Sequence, residues 1–519
     1  MKLINSILLC DHVRNKRNSI KGTVLKIHII LFLFFCVLLF LTIQEIPSQE
    51  KNIQPVIDIG SRLELFVDHY LIDTMEGVRL KLHEPQLREV ALTFDRPWEG
   101  RFCGYITVIK DGNHYKMYYR GIPTAGADGS GDEVTCYAES DDGIHWIKPN
   151  LGLFEVSGTR DNNVILFKNP PFSHNFSPFL DTREGISPDE RFKALAGTEE
   201  SGLFGFISAD GIRWKKVRDK SLLTKGAFDS QNVSFWSEAE ECYICYFRTW
   251  TGGGYAGYRT ISRATSKDFL NWSEPVPMNF GDTPPEHLYT NQTHPYFRAP
   301  HIYVSLPMRF MPGRKVLTDE QAKSLNVYVD KDKPTNTYAN DCAEVAFMTS
   351  RGGNRYDRTF MEGFIRPGLD AGNWASRAGL AALGIVPTSL TEISIYKQNH
   401  YAQPTSSLAR YTLRTDGFVS LNALYQGGEL ITKVFKHSGK ELLINFSTSA
   451  AGGVRIEILN ENNVPVPGFT LQETDEIVGD SIERIVSWKG KSDVSALAGK
   501  PIKLRFVMKD ADVFAIRFR

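Results

Sequence analysis

From residue 58 onward the chain is written in short alternating runs. GNHYKMYYRG at 112–121 and ECYICYFRTW at 241–250 place apolar or aromatic side chains at every second position, the period of a strand with one buried face. Gly, Asp, Asn and Ser clusters separate such runs, and no helical periodicity of comparable strength appears. WASRAGLAALG at 374–384 reads as a short helix or a connecting loop.

The turns between the runs repeat. SDDGIHW starts at Ser140, SADGIRW at Ser208, SKDFLNW at Ser266 and a weaker SRGGNRY at Ser350, with a faint TDGF at Thr415. Each follows a strand-like segment, namely VTCYAE, LFGFI, YRTISRAT and CAEVAFMT. Ser and Asp accept backbone hydrogen bonds in such a turn, Gly supplies the positive φ, and the trailing aromatic returns to the sheet. Spacings of 68, 58, 84 and 65 residues fit four strands plus loops per unit. Radial repetition of four-stranded units solves the edge-strand problem as a propeller does. The fold class expected is therefore all-β, with a five-bladed β-propeller at 58–420 and LELFVDHYLI at 63–72 available to complete the last blade. A β-sandwich with loops is the alternative. After 420, LITKVFKHSG, ELLINFSTSA, GVRIEIL, ERIVSW, KLRFVM and VFAIRF read as the short strands of a β-sandwich at 421–519.

The N-terminus breaks this pattern. Lys2, Arg14, Lys16, Arg17, Lys21 and Lys26 precede IHIILFLFFCVLLFLTI at 27–43, and acidic residues follow. Residues 1–44 thus read as a basic flank with a signal peptide or an uncleaved signal anchor. Positive-inside orientation places the remainder outside the cytoplasm, secreted, periplasmic or membrane-tethered. The 60 basic and 60 acidic side chains of the 519 residues cancel. No basic stripe survives beyond residue 44 to hold a nucleic acid. Past the apolar run, five cysteines remain, Cys103, Cys136, Cys242, Cys245 and Cys342; they lack the second ligand pair of a zinc framework and read as buried strand residues. No metal or cofactor is expected, and the oligomeric state is open.

S-x-D-G-x-x-W turns on a propeller followed by a sandwich resemble the five-bladed glycoside hydrolase groups that contain β-fructosidases and arabinofuranosidases or xylosidases. The resemblance covers about residues 60–519 in architecture; the β-fructosidase motifs WMNDPNG and RDP are absent. Sialidases carry the related turn S-x-D-x-G-x-x-W, but this chain lacks the inserted residue, and its spacing suggests no arginine triad. The resemblance implies an extracellular oligo- or polysaccharide substrate and acidic residues in the propeller funnel.

In a propeller the residues that begin each innermost strand converge near the axis. Those segments are WEGRFCGY at 98–105, HNFSPF at 174–179, FDSQNVSFW at 228–236, HLYTNQTHPY at 287–296 and LDAGNWASR at 369–377. Glycoside hydrolysis takes one protonatable acid and one ionised carboxylate. Asp229 is expected in the ionised role and Glu286 as general acid, with Glu99 as a third carboxylate; a turn cap, a solvated loop acid and an ion pair with Arg96 or Arg101 are their respective structural alternatives. Asn175, Gln231, Asn232, Asn291, Gln292, His294, Trp374 and Arg377 are expected to bind substrate, the amides and cation at hydroxyls and the indole on a sugar face. A non-catalytic glycan-binding propeller and a structural protein-interaction propeller remain the competing functions.

Overall fold

The computed structural model describes residues 56–124, 129–335 and 337–519. The basic flank and apolar run at 1–44 lie outside the described residues. No helix among the described residues is long and apolar enough to cross a membrane.

The described chain is almost entirely antiparallel sheet. Three four-stranded sheets follow one another in simple sequence order: Gly104–Asp111 to Val164–Leu166, Ser177–Leu180 to Lys215–Lys216, and Val233–Ser237 to Val276–Pro277. A fourth, of three strands, comprises His294–Tyr296, Ala299–Ser305 and Met348–Ser350; beyond Pro307 its chain continues into a further three-stranded sheet of His287–Leu288, Met308–Met311 and Cys342–Val345. The fifth joins Val386–Pro387, Glu392–Asn399 and Ser407–Arg414 to the early strand Gln86–Thr93. One α-helix is present among the described residues, Asp319–Ser324, started by a Thr318/Gln321 capping box.

The repeated turns form as their residue types dictate. Ser140 Oγ accepts the Gly143 amide at 2.9 Å, and Asp142 Oδ1 accepts the Ile144 and His145 amides at 2.7 and 2.8 Å. Ser208 and Asp210 make the same bonds, and Asp268 repeats them with Leu270 and Asn271. Gly143 and Gly211 take φ of +73° and +77°; Phe269 takes +68° at the equivalent place, held there by its burial among Phe179, Tyr243 and Trp272. The aromatics of each turn reach the preceding sheet: Trp146 packs on Tyr396 of the fifth, Trp214 on Tyr118 of the first, and Phe269 on Phe179 of the second. A local turn signal is thereby converted into packing between sheets.

One strand from each of the five sheets lines a common cavity of about 410 Å³, bounded by Thr107–Lys110, Pro178–Leu180, Ser234, Phe235, His294, Pro295 and Leu383–Pro387. The first and fifth of these strands run in the same direction, bridged at Thr107 and Leu383. They approach so closely that a Cβ at Gly384 would stand 2.0 Å from the Val108 carbonyl oxygen. This is a propeller-like arrangement of small sheets about one axis.

The remaining strands form a ten-stranded sheet with its own core of Leu442, Ile444, Val454, Ile456, Leu504, Phe506, Val513 and Trp488. Here the structure departs from the sequence expectation twice. The segments 441–450 and 453–459 are one bent strand, Leu442–Asn460, and 503–508 and 513–518 are one strand, Ile502–Phe518; their pairing shifts register between Thr448 and Gly453, where the ladder bends. LELFVDHYLI at 63–72, expected to complete the last blade, pairs instead through Leu63–Leu65 with Ile502–Phe518 and through Ile72 with Gly428–Thr432 in this large sheet, and Gln86–Thr93 completes the fifth sheet. Two runs of equal alternation cannot be told apart by pattern when their partners lie over 300 residues away.

The large sheet is fused to the small ones. Leu63, Leu65, Val67 and Ala515 share a core with Tyr296, Val304, Phe347, Ile395 and Tyr411. Across the same boundary the fully buried Glu64 accepts hydrogen bonds from Arg351 at 2.8 Å and faces His301 at 3.0 Å, while Arg351 also binds Asp68 at 2.7 Å. Burial works to raise the Glu64 carboxyl, but the His301 hydrogen bond and the Arg351 charge outweigh it and hold it at about 2. A carboxyl lowered in the folded state binds fewer protons there than when unfolded. Its stabilising contribution is therefore complete above pH 4.5, its ordinary value, and is lost as pH falls through about 2. Arg351→Ala leaves Glu64 buried without its main cation and is expected to cost about 3–5 kcal/mol in urea denaturation. Glu64→Gln is expected to flatten the fall in stability between pH 4.5 and 2 seen in the same measurement on the wild type.

Candidate functional site

The segments that lead into the five inner strands share an uncommon backbone feature. Each holds one non-glycine residue in the left-handed region: Tyr105 (φ +51°), Asn175 (+52°), Phe228 (+46°), Gln292 (+49°) and Arg377 (+61°). Such residues cost about 1–3 kcal/mol each and persist only where surrounding contacts fix them. Those contacts are visible here. Gln231 Nε2 donates to Thr107 Oγ1 at 2.8 Å, and Gln292 Nε2 donates to Gln231 Oε1 and to the Ala381 carbonyl, both at 2.7 Å. Four of the five inner strands are thus tied at the axis by two fully buried amides.

On the side of this tie from which the strands begin, aromatic and cationic side chains meet. Tyr289 is nearly buried, and three guanidinium groups surround its ring, their central carbons 4.1 Å (Arg248), 5.3 Å (Arg259) and 5.3 Å (Arg377) from its centroid. Arg248 Nη1 donates to Asp229 Oδ2 at 2.8 Å, and its Nη2 to the Tyr289 carbonyl. Arg377 donates to the Tyr338 hydroxyl at 2.5 Å. Arg259 lies on Trp250 at 4.5 Å and Phe310 at 5.2 Å. Arg120 sits 4.7 Å from the Tyr105 ring, donates to Tyr401 Oη at 3.2 Å and Asn175 Oδ1 at 3.3 Å, and has Glu133 3.6 Å away. Glu133 in turn faces His174 Nδ1 at 3.2 Å. Burial pushes the Tyr289 phenol up, but the Arg377 and Arg248 charges outweigh it and hold the phenol below its ordinary value.

The residues expected from the sequence are dispersed. Asp229 and Arg377 stand in this mouth; Asp229 is 38% exposed at its side chain, and its Oδ1 has no hydrogen-bond partner. Asn175 borders it through Arg120. Gln231 and Gln292 form the axial tie beneath it, and Asn232, Asn291 and His294 are spent on backbone: Asn232 on the Phe228 carbonyl, Asn291 on the Tyr246 carbonyl and Thr293 amide, and His294 on the Gln292 carbonyl and Ile385 amide. Burial lowers His294 to about 4. Trp374 donates to the Gly368 carbonyl and packs in a small cluster with Leu317, Val327 and Ala339.

The two other carboxylates do not share the mouth. Glu99 is fully buried, with one oxygen on Tyr119 Oη at 2.7 Å and the other on Lys148 Nζ at 2.7 Å and the Arg96 amide at 2.9 Å. Glu286 lines a neighbouring cleft of about 480 Å³ with Tyr258, His287, Arg309 and Glu344; its oxygens face Arg309 at 2.8 Å and Arg358 at 2.9 Å. All five cysteines beyond residue 44 are free and buried.

Arg120, Arg248, Arg259, Tyr105, Tyr289 and Glu133 were not singled out by sequence reasoning. A signal existed for two of them: YYRG at 118–121 and YFRTW at 246–250 end the second strands of the first and third sheets with the same aromatic-aromatic-arginine order.

No protein-family model and no curated protein matches the sequence. Among solved structures the chain is similar to an N-acetylgalactosamine deacetylase from F. plautii in complex with blood group B trisaccharide, with 12% identity over 65% of this chain and 96% of that one and a TM-score of 0.40. It is similar to a glycoside hydrolase family 43 arabinoxylan arabinofuranohydrolase from Bacillus subtilis in complex with cellotetraose, with 10% identity, 82% and 97% coverage and a TM-score of 0.39. A GH32 β-fructofuranosidase from Bombyx mori gives 10% identity, 83% and 94% coverage and a TM-score of 0.39.

The arginine environment of Tyr289 has a spectroscopic consequence. In an alkaline titration the phenolate absorbance is expected to show one tyrosine ionising before the bulk of the 20 tyrosines. That early step should vanish in Tyr289→Phe and move to higher pH in Arg248→Gln.

Proposed function

We propose that the five sheets lining the axial cavity belong to the blades of a closed five-bladed β-propeller backed by a β-sandwich, and that its mouth is the site of an exported glycan-processing enzyme, a glycoside hydrolase with Asp229 as its ionised carboxylate. The observation that carries this reading is the meeting, where all five inner strands begin, of a partly exposed carboxylate having one unpartnered oxygen with aromatic rings and hydrogen-bond donors. Sugars are bound by that combination: rings cover the apolar face and charged or amide groups take the hydroxyls. Asp229 is fixed through Oδ2 by Arg248, and its buried Oδ1 is left without a hydrogen-bond partner, so a sugar hydroxyl or water reaching it would satisfy it.

Glu286 and Glu99 fill the remaining acidic roles less directly, because each has its oxygens engaged by cations outside the mouth. This favours, as the second reading, a glycan-binding propeller in which Asp229 orients a sugar without cleaving it. Incubation of the full-length protein with a panel of plant, algal and animal oligosaccharides separates the two. Hydrolysis predicts product release by the wild type that falls by about 10²–10⁴-fold in Asp229→Asn while glycan binding persists. Binding in both proteins with no product from either leaves the lectin-like reading; neither binding nor product from the wild type across the panel contradicts both. Glu286→Gln is expected to leave turnover within about tenfold of wild type if its ion pairs are structural, and to abolish it if Glu286 gives the proton.

A further inference from the structure

The mouth holds more positive than negative charge. Among the described residues, four guanidinium groups, Arg120, Arg248, Arg259 and Arg377, are met there by two carboxylates, Glu133 and Asp229. Glu133 faces Arg120 and His174, and Asp229 pairs with Arg248. Arg259 and Arg377 have no carboxylate within ion-pair distance among the described residues. Both are positioned on the Tyr289 ring, each 5.3 Å from its centroid, so they stand within twice that distance of each other.

Their donors are incompletely used. The Nε atoms of Arg248, Arg259 and Arg377 are all buried without a hydrogen-bond partner, and Asp229 Oδ1 is in the same state beside them. Arg218 and Arg298 elsewhere also leave Nε buried without a hydrogen-bond partner, so the distinction of Arg259 and Arg377 is the lack of a carboxylate: Arg351, Arg309 and Arg410 have two each. Aromatic faces alone hold Arg259, on Trp250 and Phe310, and an aromatic stack leaves the edge of a guanidinium free to donate in its plane. Guanidinium edges are complementary to planar or tetrahedral oxyanions, which they bind through paired N–H donors.

We propose that this mouth is an oxyanion site in which Arg259 and Arg377, both set on Tyr289 near Asp229, hold a carboxylate, phosphate or sulfate group. The group is carried by the glycan itself, as on an acidic sugar, or enters free as inorganic phosphate or sulfate. The first form rests on the glycan reading above; the anion site as such does not. The positive charge around Tyr289 favours its phenolate and holds the phenol below its ordinary value, and a bound anion would oppose that effect.

Calorimetry on the full-length protein tests this with three titrants: sodium phosphate, a uronate-bearing oligosaccharide and a neutral oligosaccharide of equal length. Binding of phosphate or of the uronate oligosaccharide is expected, weakened about tenfold or more in Arg259→Gln and in Arg377→Gln. Binding of phosphate identifies a free anion as one occupant; binding of the uronate compound alone identifies a glycan-borne one. Replacing Arg377 also removes its hydrogen bond to Tyr338 and threatens folding, so Arg259→Gln, at a part-buried position, and the wild-type phenolate titration serve as independent readouts. Saturating anion is expected to move the early tyrosine step to higher pH. The proposal is overturned if neither anion binds the wild type, if Arg259→Gln binds it undiminished, or if the tyrosine step is unmoved at saturation. A neutral oligosaccharide bound as tightly as its uronate counterpart, with phosphate unbound, overturns the anion site and leaves the glycan reading standing. Phosphate bound at this site with no oligosaccharide bound does the reverse.

Discussion

Everything at the candidate site depends on a short chain of amide hydrogen bonds at the axis. Gln231 and Gln292 are fully buried and bonded to one another, and between them they reach the first sheet at Thr107 and the fifth at Ala381. Buried amides are costly unless satisfied, so these bonds act as constraints on where the strands begin rather than as a large net source of stability. With the strand starts fixed, residues separated by more than 180 positions, such as Tyr105 and Tyr289 or Arg120 and Tyr401, become neighbours.

The left-handed residues at all five strand starts are the counterpart of that constraint. Backbone strain is tolerated where the surroundings over-determine a conformation, and here it turns Tyr105, Asn175 and Arg377 toward a shared region in place of continuing the alternation of their strands. The charge arrangement follows. Guanidinium groups are held against aromatic faces, two carboxylates offset two of them, and the excess positive charge is concentrated around one phenol. The mouth therefore differs chemically from the boundary with the large sheet, where Arg351 is balanced by Glu64 and Asp68.

Legibility in the sequence followed the range of the interactions. The S-x-D-G turns and their strands are written within seven residues each, and the structure forms them as the residue types require. The all-β character and the succession of small sheets followed from those turns. The closing strand was not legible, because LELFVDHYLI and QLREVALT alternate equally well and only partners at 407–414 and 502–518 decide between them. Nor was the division of the C-terminal segments, since a bend within a strand and a turn between strands both appear as Gly and Asp. At the site, Asp229 and Arg377 were reachable by asking what begins each inner strand. Arg248 and Arg259 were not, because they lie on second and third strands and enter the mouth only through side-chain reach. Gln231 and Gln292, expected as sugar ligands, are hydrogen-bonded to one another at the axis, a placement that residue type alone does not carry.

The central claim is that ligand recognition takes place over Tyr289, between Arg259 and Arg377 and beside Asp229. A crystal structure of the protein soaked with an acidic oligosaccharide tests it most directly. Density is expected for a sugar on the aromatic faces of the mouth, with its anionic group within hydrogen-bonding distance of Arg259 or Arg377. Ligand density confined to the cleft at Glu286, or to the surface of the ten-stranded sheet, with the Tyr289 mouth unchanged, would contradict it.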